Sequence, residues 1–103
     1  MSESPQEYDR RQLELMKNIL ASFEREATSL SDLVSTLDAR SALLQAAPQK
    51  WAREFQREWW TLEQINAVAL DRGQDPMCED YADMVRGATR RLMGLLTASE
   101  VSW

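Results

Sequence analysis

Residues 51–73 constrain this chain most, because apolar residues recur at helical spacing through the whole stretch. At about 100° per residue, one face carries Trp51, Phe55, Trp59, Leu62, Ile65 and Ala69. Pro48 precedes the stretch as a start signal, and Gly73 follows it as a left-handed C-terminal cap. The pattern predicts a long helix over 48–72 that buries this face against other elements.

Trp60 lies on the side of this predicted helix that faces away from the apolar stripe, together with Glu63, Gln64 and Asp71. An exposed tryptophan with an acidic rim is typical of a protein-binding hot spot. One alternative is that Trp60 packs on a neighbouring helix or on the tail. A second alternative is that the helix breaks at Thr61, where the sequence could form another capping box. The residues before and after the break would then no longer share the same faces.

Three further amphipathic segments are predicted as helices, over 4–26, 30–46 and 76–97, with a short C-terminal tail after them. Ser4, Ser29 and Asp75 are the predicted N-caps, and Pro5 and Pro76 occupy first helical positions. The last segment has a predicted core stripe of Tyr81, Met84, Val85, Ala88, Leu92, Leu95 and Leu96. For its two glycines, Gly87 and Gly94, we expect close packing against another helix.

The composition supports helices over strands. Val and Ile are scarce, whereas Ala, Leu, Glu, Gln, Arg and Met are common, and glycine and proline number three each. At 103 residues the chain is long enough for one domain with its own core. We therefore predict an all-α fold over 1–103, an antiparallel bundle of about four helices joined by short loops.

The negative charge is unevenly distributed along the sequence. The chain has a net charge of −5, and residues 54–83 contain eight acidic residues against two arginines. Such a block repels nucleic acid, whose affinity for proteins comes mainly from phosphate contacts. It attracts a basic protein surface and speeds the encounter with it. The alternative is that the acidity only keeps a small protein in solution.

The residue inventory argues against catalysis and against a metal or cofactor site. The chain has no histidine, so it lacks the commonest general base and the commonest zinc ligand. Its single cysteine, Cys78, can neither form an internal disulfide nor hold a metal alone. Glu54 and Glu58 lie one turn apart, a spacing suited to paired carboxylates. We favour instead a salt bridge from Glu58 to one of three arginines, Arg25, Arg40 or Arg86. The prediction is a protein that is not an enzyme.

No apolar run in the sequence reaches the ~20 residues that span a bilayer. The first residues, MSESPQEYDRRQ, lack the basic start and apolar core of a signal peptide. We expect a cytoplasmic protein that binds neither membrane nor nucleic acid.

The segment 55–73, FQREWWTLEQINAVALDRG, resembles small helical bacterial immunity proteins of contact-dependent growth inhibition and related polymorphic toxin systems. The similarity extends loosely from Leu30 to Gly73 and includes the Ser-Leu-Ser-Asp-Leu start of the second helix. Asn66 departs from the pattern, because relatives often have an aromatic residue there. The resemblance implies a stoichiometric inhibitor that neutralises a cognate secreted toxin, a nuclease, in the cytoplasm.

On this hypothesis an acidic face covers a basic surface of the toxin. The predicted partner-binding residues are Glu58, Trp60, Glu63, Asp71, Asp75, Glu79, Asp80 and Asp83. We expect a monomer or a weak homodimer. The alternative function is a non-catalytic helical adaptor or a homodimeric structural protein.

Residues 37–44 also resemble part of the small helical chorismate mutases. The active sites of those enzymes need clustered basic residues, whereas this chain has two lysines and dispersed arginines.

Overall fold

The computed structural model describes the backbone of residues 3–102 and the side chains of residues 3–98. Its four helices are α1 (Pro5–Glu24), α2 (Leu30–Ser41), α3 (Gln49–Arg72) and α4 (Ala82–Ser102). The predicted all-α class is confirmed: the chain forms a four-helix bundle, without a strand among residues 3–102.

The helix ends follow the local sequence signals. The Ser4 hydroxyl accepts a hydrogen bond from the Glu7 amide, and the Ser29 hydroxyl accepts one from the Asp32 amide, so both serines are N-caps as predicted. α3 begins directly after Pro48 and ends at Gly73, whose φ of 62° is left-handed. α3 is continuous through Thr61, so the predicted facial arrangement of its side chains holds.

Each helix packs against the two helices next to it in a ring, α1 against α2, α2 against α3, α3 against α4, and α4 against α1. The core between them is formed by apolar residues of all four helices: Leu13, Met16, Leu20, Leu30, Leu33, Val34, Leu37, Trp51, Phe55, Leu62, Ile65, Val85, Ala88, Leu92 and Leu96. The connections α1–α2 and α3–α4 therefore lie at one end of the bundle, and the α2–α3 connection lies at the other.

α2 is shorter than the predicted segment 30–46. It ends at Ser41 because the next residues turn towards α1, where the buried carboxylate of Asp9 accepts hydrogen bonds from the backbone amides of Gln45 and Ala46. These amides satisfy Asp9 instead of continuing the helix. The apolar pattern of residues 42–47 could not predict this contact, because Asp9 is far away in the sequence.

α4 begins at Ala82 and not at Pro76, so the prediction was wrong there. The Asp75 carboxylate accepts a hydrogen bond from the Met77 amide, an Asx turn that replaces a helix N-cap. Successive turns follow, in which the amides of Tyr81 and Ala82 both donate to the Cys78 carbonyl. At its other end α4 runs beyond residue 97 to Ser102.

Two side-chain expectations for α4 are also corrected. Met84 is exposed and does not belong to the core stripe. Neither glycine lies against another helix: a Cβ at Gly94 would meet no atom within 4 Å, and one at Gly87 would meet the guanidinium of Arg91 at 3.3 Å. Trp103, the last residue of the predicted C-terminal tail, lies outside the described residues.

Candidate functional site

Trp59 and Trp60 are neighbours in α3 with opposite environments. The Trp59 indole Nε1–H donates to the Val34 carbonyl of α2 at 2.9 Å, so Trp59 joins two helices. Trp60 is 54% exposed and points away from the core, as predicted. The outer face of α3 therefore presents a large aromatic side chain to a potential partner.

The residues around Trp60 are more mixed in charge than the sequence pattern suggested. The exposed residues three, four and seven positions before Trp60 are Arg57, Gln56 and Arg53. The exposed residues four, seven and eleven positions after it are Gln64, Ala67 and Asp71. Only the C-terminal half of this face is acidic. Trp60 thus lies between a basic half and an acidic half of α3.

Glu58 is largely covered. Its side chain is 13% exposed and accepts a hydrogen bond from Nε of Arg91 on α4 at 2.8 Å. The predicted rim salt bridge exists, but its partner is Arg91 and none of the three arginines proposed from the sequence. Glu54 lies in the same groove between α3 and α4. Both carboxylates are separated from the outer face that carries Trp60.

Glu63 is half-buried on α3. One turn further along, Asn66 donates a hydrogen bond to the Ser31 hydroxyl of α2 at 3.4 Å. The polar side chain of Asn66 thereby connects α3 to α2. Glu63 therefore lies at the border between the outer face of α3 and the α2–α3 contact.

The other five predicted residues lie together at the end of the bundle where α3 connects to α4. Asp71, Asp75, Glu79, Asp80 and Asp83 are all exposed. The α1–α2 connection reaches the same place, since residues of both connections line one cavity. Three acidic residues that sequence reasoning missed join the group there: Glu24, Glu26 and Asp32.

We call residues 24–32 and 71–86 the acidic end. They contain eight acidic residues and three arginines, whereas the rest of the chain contains nine acidic and nine basic residues. These two ranges therefore carry a net charge of −5, and the charges of the remaining residues balance to zero. The predicted antiparallel order of the helices could have indicated this grouping, because it places the first and third connections at the same end of the bundle.

The cavity at the acidic end has a volume of about 690 Å³ and is open to solvent. Its lining includes the apolar residues Phe23, Leu30, Pro76 and Met77 and the charged residues Glu24, Glu26, Asp75, Arg86 and Arg90. It is a surface depression in which apolar residues lie beside charges of both signs.

In residues 3–98, the structure shows no group of three acidic or cysteine side chains placed to hold a metal ion. Cys78 is half-buried between the turns that precede α4. The acidic end thus presents exposed negative charge, and the outer face of α3 presents an exposed tryptophan.

Comparison of the chain with family models, curated proteins and solved structures found no match. Across the described helices, none combines the length and apolarity that crossing a bilayer requires.

Proposed function

We propose that this chain is a non-catalytic inhibitor of the immunity-protein type, which binds a basic toxin domain, a nuclease, in the cytoplasm through its acidic end. One observation supports the proposal above all others: the entire net charge of −5 lies in residues 24–32 and 71–86. A nuclease must present positive charge to the phosphates of its substrate. A concentrated negative surface on a small protein is complementary to such a cleft.

The position of three of these carboxylates favours a role in recognition over one in folding. Glu24 is the last residue of α1, Glu26 lies just beyond it, and Asp71 is in the last turn of α3. The C-terminal end of a helix carries partial negative charge, so acidic residues there are unfavourable by a few tenths of a kcal/mol each. A positively charged partner removes this repulsion.

Two of the eight acidic residues of the acidic end are explained by helix stability alone. Asp32 and Asp83 occupy the first turns of α2 and α4, where negative charge stabilises the positive end of the helix dipole. The proposed contact surface is therefore centred on Asp75, Glu79 and Asp80 of the α3–α4 connection, with Glu24 and Glu26 beside them.

Side-chain hydrogen bonds stabilise both connections of the acidic end before any partner binds. The hydroxyls of Ser22 and Thr28 lie 2.6 Å apart across the α1–α2 connection. In the α3–α4 connection, the Tyr81 hydroxyl and the Gln74 side-chain oxygen are 2.7 Å apart. A preformed surface loses less conformational entropy on binding than a disordered loop does.

The direct test is binding between the purified chain and the toxin domain encoded by the adjacent gene. We expect a one-to-one complex whose association rate falls steeply with added salt, because long-range attraction is screened. The double variant Glu79→Lys and Asp80→Lys should slow association by about tenfold or more at low salt.

A matched control changes the net charge by the same amount elsewhere. Glu14→Lys and Asp38→Lys replace two exposed carboxylates outside the acidic end. Equal loss of binding in both double variants would show that binding depends on the total charge of the protein and not on where the charge is located. Absence of any complex would refute the proposed function itself.

A further inference from the structure

The exposed stripe along α3 is not explained by the acidic end. It consists of Arg53, Gln56, Arg57, Trp60, Gln64, Ala67, Leu70 and Asp71. Leu70 is 67% exposed and Trp60 is 54% exposed, which makes them two of the most exposed large apolar side chains of the described bundle. The stripe repeats at three and four residues, the spacing with which one helix packs along another.

Charge divides this stripe into two halves. Arg53 and Arg57 precede Trp60, and Asp71 lies near the end of the helix. A basic partner is repelled by the first half and an acidic partner by the second. A second copy of the same stripe, turned by 180°, matches both halves at once. Such self-complementarity is the requirement for a twofold symmetric interface.

We propose that two copies of this chain associate through α3, with the helices antiparallel about a twofold axis at the level of Leu62. In this register Arg53 lies opposite Asp71 of the second copy, and the symmetry repeats the pair. Trp60 lies opposite Gln64 of the second copy and beside its Ala67, whose small side chain leaves room for the indole. This interface buries the two exposed apolar residues of the stripe.

The same register keeps the acidic ends apart. Because the α3 helices run in opposite directions, the acidic end of one copy lies beside the electrically neutral part of the other. Self-association therefore leaves Asp75, Glu79 and Asp80 of both copies accessible, whereas Asp71, at the edge of the acidic end, takes part in the dimer interface.

A single helix stripe is smaller than the ~800 Å² per partner that is usual for a stable interface. We therefore expect a weak dimer, with a dissociation constant on the order of 10–100 μM. Sedimentation equilibrium of the full chain from about 5 μM to 1 mM covers this range. A chain that stays monomeric throughout would overturn the proposal.

The charge pair gives the sharpest test of the register. Arg53→Glu and Asp71→Arg should each weaken self-association by about fivefold or more, since each places like charges opposite one another twice. The double variant restores both pairs and should return the dissociation constant to within about twofold of the original. Single variants without effect, or a double variant as weak as either single one, would refute this pairing.

Trp60→Ala should weaken self-association by at least about tenfold, as expected for a central aromatic residue. Leu15→Ala is the control, because Leu15 is also exposed, on α1, and should have no effect. Circular dichroism of each variant checks that the helices remain folded. If Trp60→Ala leaves the dimer intact but abolishes toxin binding, the stripe belongs to the toxin contact and the dimer proposal fails.

Discussion

Asp9 on α1 and Ala46 in the α2–α3 connection are joined by a hydrogen bond of 2.7 Å from the backbone amide to the carboxylate. The other carboxylate oxygen accepts the Gln45 amide at 2.8 Å. Asp9 is completely buried. A charged acceptor inside the bundle thus fixes the connection that leads into α3, and with it the position at which that helix begins.

We expect Asp9→Ala to lower the free energy of unfolding by about 3 kcal/mol, because two backbone amides lose a charged acceptor in a partly buried place. Urea unfolding monitored by circular dichroism measures this. Asp38→Ala, an exposed carboxylate on α2, should change stability by no more than about 0.5 kcal/mol. Similar values for the two variants would contradict the structural role of Asp9.

Gly94→Ala should raise the free energy of unfolding by about 0.5–1 kcal/mol, since alanine is the better helix former and its Cβ meets no neighbouring atom. Gly87→Ala has the same helical advantage, but its Cβ would lie 3.3 Å from Nη1 of Arg91. The guanidinium, which pairs with Glu58, must then move by a few tenths of an ångström. We therefore expect a smaller gain in stability from Gly87→Ala than from Gly94→Ala. Thermal unfolding of both variants measures the difference. A larger gain for Gly87→Ala would contradict this explanation.

The Glu58–Arg91 ion pair should show a coupling energy of about 0.5–1 kcal/mol in a double-mutant cycle with Glu58→Gln and Arg91→Gln. Glu58 is mostly covered, whereas Arg91 is 59% exposed, so salt should reduce the coupling without removing it. Asp83 and Arg86, 3.7 Å apart and both exposed, form the comparison pair, for which we expect no measurable coupling. Equal coupling in the two cycles would show that burial of Glu58 has no effect.

Trp59→Phe should destabilise the bundle by about 1–2 kcal/mol, because the Val34 carbonyl loses the indole N–H that reaches it from α3. Trp60→Phe should have almost no effect on stability, since Trp60 is 54% exposed and its ring contacts Trp59 of the same helix. Chemical denaturation of the two variants tests the difference. A larger loss for Trp60→Phe would reverse the environments described for the two tryptophans.

The sequence predicted the parts of the fold that depend on local interactions. Two serine caps, the left-handed Gly73 and the apolar spacing of α3 act within a few residues, so their effect is readable from the pattern. The C-terminal end of α2 was not readable, because a residue on another helix determines it. The start of α4 was missed because Asp75 can cap a helix or close a turn, and both give the same local sequence.

For the candidate site, the sequence determined the amount of negative charge, the absence of histidine and the outward direction of Trp60. Tertiary structure decided how these features are grouped. It separated Glu58 from the other carboxylates by pairing it with Arg91, and it added Glu24 and Glu26 to the α3–α4 connection by placing two distant connections at one end. The physical reason is that periodicity fixes which face of each helix is buried, whereas only packing between helices fixes which exposed charges become neighbours.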